Sequence, residues 1–210
     1  MLGGPNANWQ SNRRTAATAH IVQAAWELAR EHGLGGMTLR DLARKLGMAA
    51  PSLYSYFDSK HALYDAMFAD GWRALIEFEP LVAGPDLRTT LRVGTDRWVR
   101  FSLADPVRYQ LLNQRTIPGF EPSPESYAVA KEAYAQSMAP IKAVANVTQE
   151  DLDLLTAVVG GLISQQIANE PGGSRWVRLA DDLMDLVVYR IEQRNPQTAP
   201  RARRPRKAER

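Results

Sequence analysis

The stretch MTLRDLARKLGMAAPSLYSYF, residues 37–57, reads as two short helices joined by a glycine turn. Thr38 stands where the first helix would be capped, and Asp41, three residues on, can return a bond to the cap's backbone. Leu39, Leu42, Ala43 and Leu46 share one face at helical spacing. Gly47 permits the left-handed backbone of a tight turn, and Met48 fills the angle between the helices. Pro51 sits in the first turn of the second helix, where a missing N–H costs nothing. Leu53 and Phe57 would anchor that helix, expected over Ala50 to Phe57, to a core. A helix-turn-helix over about 38–57 is the kind of unit that sets its second helix in a DNA major groove.

The outward face of the second helix fits that use. Ala49, Ala50 and Ser52 are small and allow close approach to base edges, while Ser52, Tyr54, Ser55 and Tyr56 offer hydroxyls to phosphates and bases. The positive end of the helix also favours a phosphate. Lys60, at the start of the next helix, would fall beside the DNA backbone. From Thr38 to His61 the cations Arg40, Arg44, Lys45 and Lys60 face only Asp41 and Asp58, a modest net +2.

Outward from this motif, apolar residues recur at spacings of three and four and no segment alternates with period two, so the chain reads as all-α with about nine helices. A first helix is expected from Asn12 to Glu31, with Ala16, Ile21, Ala24, Ala25 and Leu28 inward and His32-Gly33 as its stop. A fourth runs from Asp58 or Ser59 to Pro80. After the turn at Ala83–Asp86 come helices over Leu87–Leu103 and from Pro106 to Asn113, the latter capped by Asp105. Thr116 to Pro124, with three prolines and a glycine, is a loop. Helices over Glu125–Ala145, bent at Pro140, and Thr148–Asn169 follow, and a last one ends near Gln193. Thr148 to Asp151 has the pattern of a capping box.

The chain of 210 residues is 45% hydrophobic, enough for a sizeable core. It has no cysteine, which removes disulfides, thiolate metal sites and cysteine nucleophiles, and His20, His32 and His61 do not cluster in sequence. No metal and no cofactor is expected. No apolar run approaches the roughly 18 residues of a membrane span, and Met1 to Gln10 lacks the order of a signal peptide, which together point to the cytoplasm and no membrane partner. The acidic clusters, Glu150-Asp151-Asp153 and Asp181-Asp182-Asp185, fall where capping and solvation explain them, so an enzyme is not expected. The net charge is +3, but residues 194–210 carry seven Lys or Arg against one acid, a net +6 that leaves −3 on residues 1–193. The positive balance belongs to the tail and says nothing about a polyanion site on the body.

Ile21, Ala24, Ala25 and Leu28, then Thr38, Arg40, Ala43 and Gly47, then Ser52-Leu53-Tyr54, Tyr56-Phe57, Ser59-Lys60 and Leu63, resemble the DNA-binding domain of the TetR family of regulators. The resemblance covers roughly residues 12–70. It implies that Thr38, Arg40, Ser52, Tyr54, Tyr56 and Lys60 fall at positions that touch DNA. Many relatives carry a histidine or another polar residue where this chain has Tyr56, and Ala49 and Ala50 bring no hydrogen-bonding side chain.

The resemblance further implies a homodimer built on the last two helices, binding a pseudo-palindromic operator in double-stranded DNA, and a small-molecule effector that releases it, usually from repression. Two apolar stripes agree with the dimer: Leu152, Leu155, Val159, Leu162 and Gln166, and Leu179, Leu183, Leu186, Val187 and Ile191. Gly160-Gly161 within a helix costs about 1 kcal/mol each relative to alanine, which a close helix approach would offset. From the first stripe Leu155, Val159, Leu162 and Gln166, and from the second Leu179, Leu183, Leu186 and Val187, are the expected interface residues. Effector-pocket candidates are Trp98, Phe101, Tyr109 and Asn113, then Phe120, Tyr127, Tyr134, Met138 and Gln165, mostly apolar or aromatic, which suggests an effector of like character.

The expected organisation is a disordered arm over 1–11, a three-helix DNA-binding domain over 12–58, a larger helical effector-binding and dimerisation domain over 59–193, and a disordered basic tail over 194–210. The Arg-rich tail, and Arg13 and Arg14 at the head of the first helix, invite phosphate or minor-groove contacts. An architectural DNA binder driven by the tail is the rival reading. It differs in predicting binding that ignores sequence.

Overall fold

The computed structural model describes residues 5–194, and the basic-tail expectation for residues beyond Arg194 lies outside them. Among the described residues there are nine α-helices, one 3-10 turn and no strand, so the all-α expectation holds. They are α1 (Pro5–Gly36), α2 (Leu39–Lys45), α3 (Ala50–Tyr54), α4 (Lys60–Glu77), α5 (Leu87–Ala104), α6 (Pro106–Asn113), α7 (Pro124–Val144), α8 (Gln149–Asn169), the 3-10 turn Val177–Leu179, and α9 (Ala180–Arg194). No helix among them is long and apolar enough to cross a membrane.

Helix ends follow local chemistry. In α1 the run breaks at Gly33, whose φ of 73° suits a residue without Cβ, and one further turn closes to Gly36. The helix begins at Pro5, seven residues ahead of the expected Asn12, so residues 5–11 are helical rather than a loose arm. Ser59 caps α4 by accepting from the Ala62 N–H at 3.0 Å, and Asp105 caps α6 through the Arg108 N–H at 3.1 Å, with Pro106 in its first turn. Thr148 and Asp151 form the reciprocal capping box of α8, as their spacing suggests.

The described residues fall into two packed units, divided at Pro80/Leu81, Arg100/Phe101 and Gln136/Ser137. In the first, the core joins Ile21, Ala25, Trp26, Leu28 and Ala29 of α1 with Leu42, Leu53 and Phe57 around the helix-turn-helix and Leu63, Tyr64 and Met67 of α4. Leu111 of α6 belongs to the same core, so packing continues past residue 58, where the sequence suggests a boundary. Polar bonds brace these helices. The Trp26 Nε1–H donates to Asp70 at 2.8 Å, and Arg30 donates to the buried Asp105 carboxylate from two nitrogens at 3.0 and 2.6 Å. The buried Tyr64 hydroxyl donates to the Leu34 carbonyl. At Gly71 a Cβ would meet Leu112 Cδ2 at 3.0 Å, so α4 and α6 approach closely at this position.

In the second unit α8 and α9 pack together, burying Leu152, Leu155, Val159, Leu162, Ile163 and Gln166 of α8 and Met184, Val187, Val188 and Ile191 of α9. Gln166 is engaged within the chain: its Oε1 accepts from the Trp176 and Val177 amides at 2.9 and 3.2 Å and its Nε2 donates to the Glu170 carbonyl. Leu155, Val159, Leu162, Gln166 and Val187, expected at a partner interface, are therefore core. The apolar side chains left open on this part of the chain are Leu179, Leu186 at 65% exposure and Tyr189 at 62%, with Leu183 half-buried.

Candidate nucleic-acid interface

The helix-turn-helix is held from within by Leu42, Ala43, Leu53 and Phe57, all buried. Gly47 adopts φ 66° at the turn, and the Met48 N–H bonds the Ala43 carbonyl at 2.9 Å, which fixes the angle between α2 and α3. The second helix is shorter than its apolar spacing suggests. It closes at Tyr54 because the Ser55 and Tyr56 amides bond back three residues, to Ser52 and Leu53, and the Ser55 hydroxyl donates to the Ser52 carbonyl at 2.7 Å. Ser55 and Tyr56 thus belong to the turn after α3, with Phe57 still tied to Leu53 by a backbone bond of 3.1 Å.

Of the residues expected to meet DNA, Arg40, Ala49, Ser52 and Tyr54 are exposed, Tyr54 at 52%, and Ala50 and Tyr56 are half-buried. Other members of the set carry bonds inside the protein. The Thr38 hydroxyl donates to Asp41 Oδ2 at 2.6 Å and accepts from the Asp41 amide at 3.1 Å, so its one proton is already committed to the α2 cap. That bond, ahead of the nearby Arg44, holds the Asp41 carboxyl below its ordinary pKa. The Lys60 ammonium donates to the Gly35 carbonyl at 2.9 Å and lies 5.4 Å from the Tyr64 ring centroid, which leaves two of its three N–H groups for a phosphate.

The remaining cations divide sharply. Arg44 pairs with Asp41 at 3.1 Å, and Lys45 bridges Glu27 and Glu31 at 3.2 and 3.1 Å, contacts that raise the Lys45 pKa. Arg40 makes no ion pair or hydrogen bond among the described residues. A structural contact that spacing along the sequence does not reveal comes from α1: Arg14 Nη2 donates to the Ser55 carbonyl at 2.8 Å and its guanidinium lies 5.5 Å from the Tyr56 ring centroid. It spans 41 residues, so only the folded chain brings the two together.

A cavity of about 220 Å³ opens in the same unit, lined by Phe68, Leu111, Leu112, Asn113, Ile117, Phe120, Pro122 and Tyr127 with the polar Gln114, Arg115 and Glu121. Asn113, Phe120 and Tyr127 of the expected pocket set meet there. Phe101 and Tyr109 are instead buried core; Phe101 packs edge-on to Phe78 with ring centroids 5.5 Å apart and carries the Arg108 guanidinium on its face at 4.0 Å. Tyr134 does not line this cavity, and Trp98, Met138 and Gln165 belong to the other unit. The segment before α7 is bound to α4: Phe120 packs against Tyr64 at 5.8 Å and His61 at 6.1 Å, and Asp65 accepts from Ser123 and Ser126.

A short second helix, set by a glycine turn on an α1–α4 scaffold in an all-helical chain, is the arrangement of a helix-turn-helix DNA-binding unit. Residues 21–67 match the family model of bacterial regulatory proteins, tetR family. The tetracycline repressor protein class D of Escherichia coli is 36% identical over 72 residues, 34% of this chain and 33% of that protein. The chain thus matches about a third of the length of these curated relatives. Over the whole fold, the solved regulatory protein SCO4313 superposes with a TM-score of 0.68 at 22% identity, covering 85% of this chain and 98% of that one. The transcriptional regulator FadR of Bacillus subtilis, solved with stearoyl-CoA, superposes at 0.59 and 14% identity over 80% and 96%. The likeness to the TetR family of transcriptional regulators thus lies in the N-terminal part of the chain, over residues 21–67.

Proposed function

We propose that this chain is a sequence-specific DNA-binding regulator, acting in the cytoplasm as a homodimer on a pseudo-palindromic operator and released by a small apolar or aromatic effector. The observation that carries the reading is the uncommitted outer face of the helix-turn-helix. Arg40, Ser52 and Tyr54 stand exposed on a rigidly anchored frame while the neighbouring charges Arg44 and Lys45 are paired internally. Side chains kept free of internal partners on a fixed backbone are what direct base and phosphate contacts require. Repression is the mode named in the tetracycline repressors it resembles.

Support for a dimer comes from α9 and the 3-10 turn before it, where Leu179, Leu183, Leu186 and Tyr189 form an outer apolar stripe at helical spacing, and from Gly161 on α8, beside which a Cβ would find open space. Two copies joined there would present two reader helices to successive turns of DNA, about 34 Å apart. Support for an effector comes from the cavity beside α4, whose volume of about 220 Å³ is below the roughly 300–1,000 Å³ of most ligand pockets. A compact ligand fits it better than an extended one.

The test is selection of bound duplexes from random DNA by the full chain, followed by footprinting and competition with a panel of compact aromatic and aliphatic compounds. An inverted repeat protected by the protein and released by an uncharged compound supports the reading. Retention of all duplexes alike, with a signal carried by the basic tail, would replace it with architectural binding.

A further inference from the structure

We infer that the N-terminal turns of α1 form a second DNA-contacting surface, in which Arg13, stacked on Trp9, meets the sugar–phosphate backbone flanking the base pairs that α3 faces. This rests on the proposed function, and extends its footprint. Arg14 is the locating contact. Its bond to the carbonyl of Ser55, the residue that closes α3, and its stacking on Tyr56 pin α1 to the edge of the reader helix.

Arg13 is the next residue back, 1.5 Å along the helix axis and 100° around it, and Trp9 lies one turn further, at the i,i+4 spacing that lets side chains meet. The Arg13 guanidinium sits 4.6 Å from the Trp9 ring centroid. Trp9 is 58% exposed and Arg13 is exposed, and among the described side chains of α1 the first buried one is Ile21. This part of the helix is therefore not needed to build the core.

The charge is also available. Among the described residues Arg13 has no carboxylate partner, and a ring face orients a guanidinium without neutralising it. The pair is a cation of reduced freedom, next along α1 to the Arg14 clamp on the turn that closes α3. Any duplex engaged by α3 brings its phosphates to that edge, and a planar, permanently charged fork suits a phosphate oxygen pair.

The experiment uses the full chain and a duplex chosen by selection, with the wild type, Arg13→Gln, Trp9→Ala and Arg40→Ala compared from 50 to 300 mM salt. Arg13→Gln is expected to bind about threefold to tenfold more weakly at 100 mM salt and to reduce the slope of log affinity against log salt by about one per bound subunit. Hydroxyl-radical protection should retreat at the outer edges of the footprint while the selected sequence stays the same. Trp9→Ala should weaken binding with the slope kept, because the charge remains. An unchanged slope and unchanged outer protection in Arg13→Gln, with binding lost in Arg40→Ala, overturns the inference and leaves the regulator reading standing. If the wild type protects no particular sequence, the regulator reading fails and this inference with it. Thermal melting of Arg13→Gln separates either result from loss of fold.

Discussion

Asp65 on α4 closes the N-terminus of α7 through Ser123: the Ser123 amide donates to Asp65 Oδ1 at 2.7 Å and its hydroxyl to Oδ2 at 2.8 Å. The Ser126 hydroxyl adds a third bond to Oδ2 at 2.8 Å. A carboxylate from one helix thus satisfies donors at the start of another that the helix cannot satisfy itself. Asp65→Ala is expected to lower unfolding free energy by about 2 kcal/mol, as loss of bonds to a charged group does. Asp65→Asn, which keeps an acceptor, should cost less. Urea denaturation of the two variants measures this, and equal losses would show that the charge contributes nothing.

Arg40 and Lys60 should respond differently to alanine. Arg40 is exposed and supports nothing inside the protein, so Arg40→Ala should leave stability within about 0.5 kcal/mol of wild type while weakening operator binding by about 1–3 kcal/mol. Lys60 also ties α4 to the Gly35 carbonyl. Lys60→Ala should therefore lower both DNA affinity and melting temperature. Paired measurements of affinity and melting on both variants decide it; a destabilised Arg40→Ala would contradict the assignment of a free cation.

Acid should erode the fold through particular carboxyls. Burial pushes the Asp151 carboxyl up, but the Arg194 guanidinium and the Thr148 amide and hydroxyl outweigh it and hold the pKa below 3.8. Asp86, which accepts from the Thr89 amide, and Asp41 are lowered as well. A carboxyl with a depressed pKa in the folded state adds stability that is fully present above its unfolded value and lost as pH falls through its folded value. The urea midpoint should therefore hold from pH 7 to about 5 and decline below about pH 4. Asp151→Asn should start lower at neutral pH and decline less steeply. An identical acid slope in that variant would remove Asp151 from the account.

If α9 meets a second copy through its outer stripe, Leu186→Glu should split the dimer while leaving each subunit folded, because Leu186 is 65% exposed within one chain. Sedimentation would report a monomer, and affinity for the full palindrome would fall toward that of a single half-site. Leu162→Glu, at a buried position, should instead unfold the protein. A dimeric Leu186→Glu would move the interface elsewhere.

Spacing along the sequence made the helix-turn-helix legible, because its cap, turn glycine and core anchors are all local. Thr38, Gly47, Leu53 and Phe57 play the structural parts their residue types suggest. Two kinds of information were not local. Which apolar stripe faces inward depends on the third dimension, so Leu155 and Leu162 look the same in sequence as Leu186 yet are buried. Which cations are free depends on distant acids and carbonyls: Lys45 meets Glu31 and Lys60 meets Gly35 only after folding. Phe101 and Tyr109, aromatic like Phe120, were indistinguishable from cavity residues until packing separated them.

A reader helix of five residues cannot persist on its own, since isolated helices shorter than about 12 residues are marginal in water. Its aim is borrowed from Arg14 at its end, Leu53 and Phe57 beneath it and the glycine turn before it. Aim and vocabulary are therefore separable: residues 49, 52 and 54 can be exchanged without disturbing what holds the helix in place. On the proposed function, such a chain can change the word it recognises over generations while keeping its grammar, and substitutions in the scaffold would show up as general loss of DNA affinity rather than altered preference.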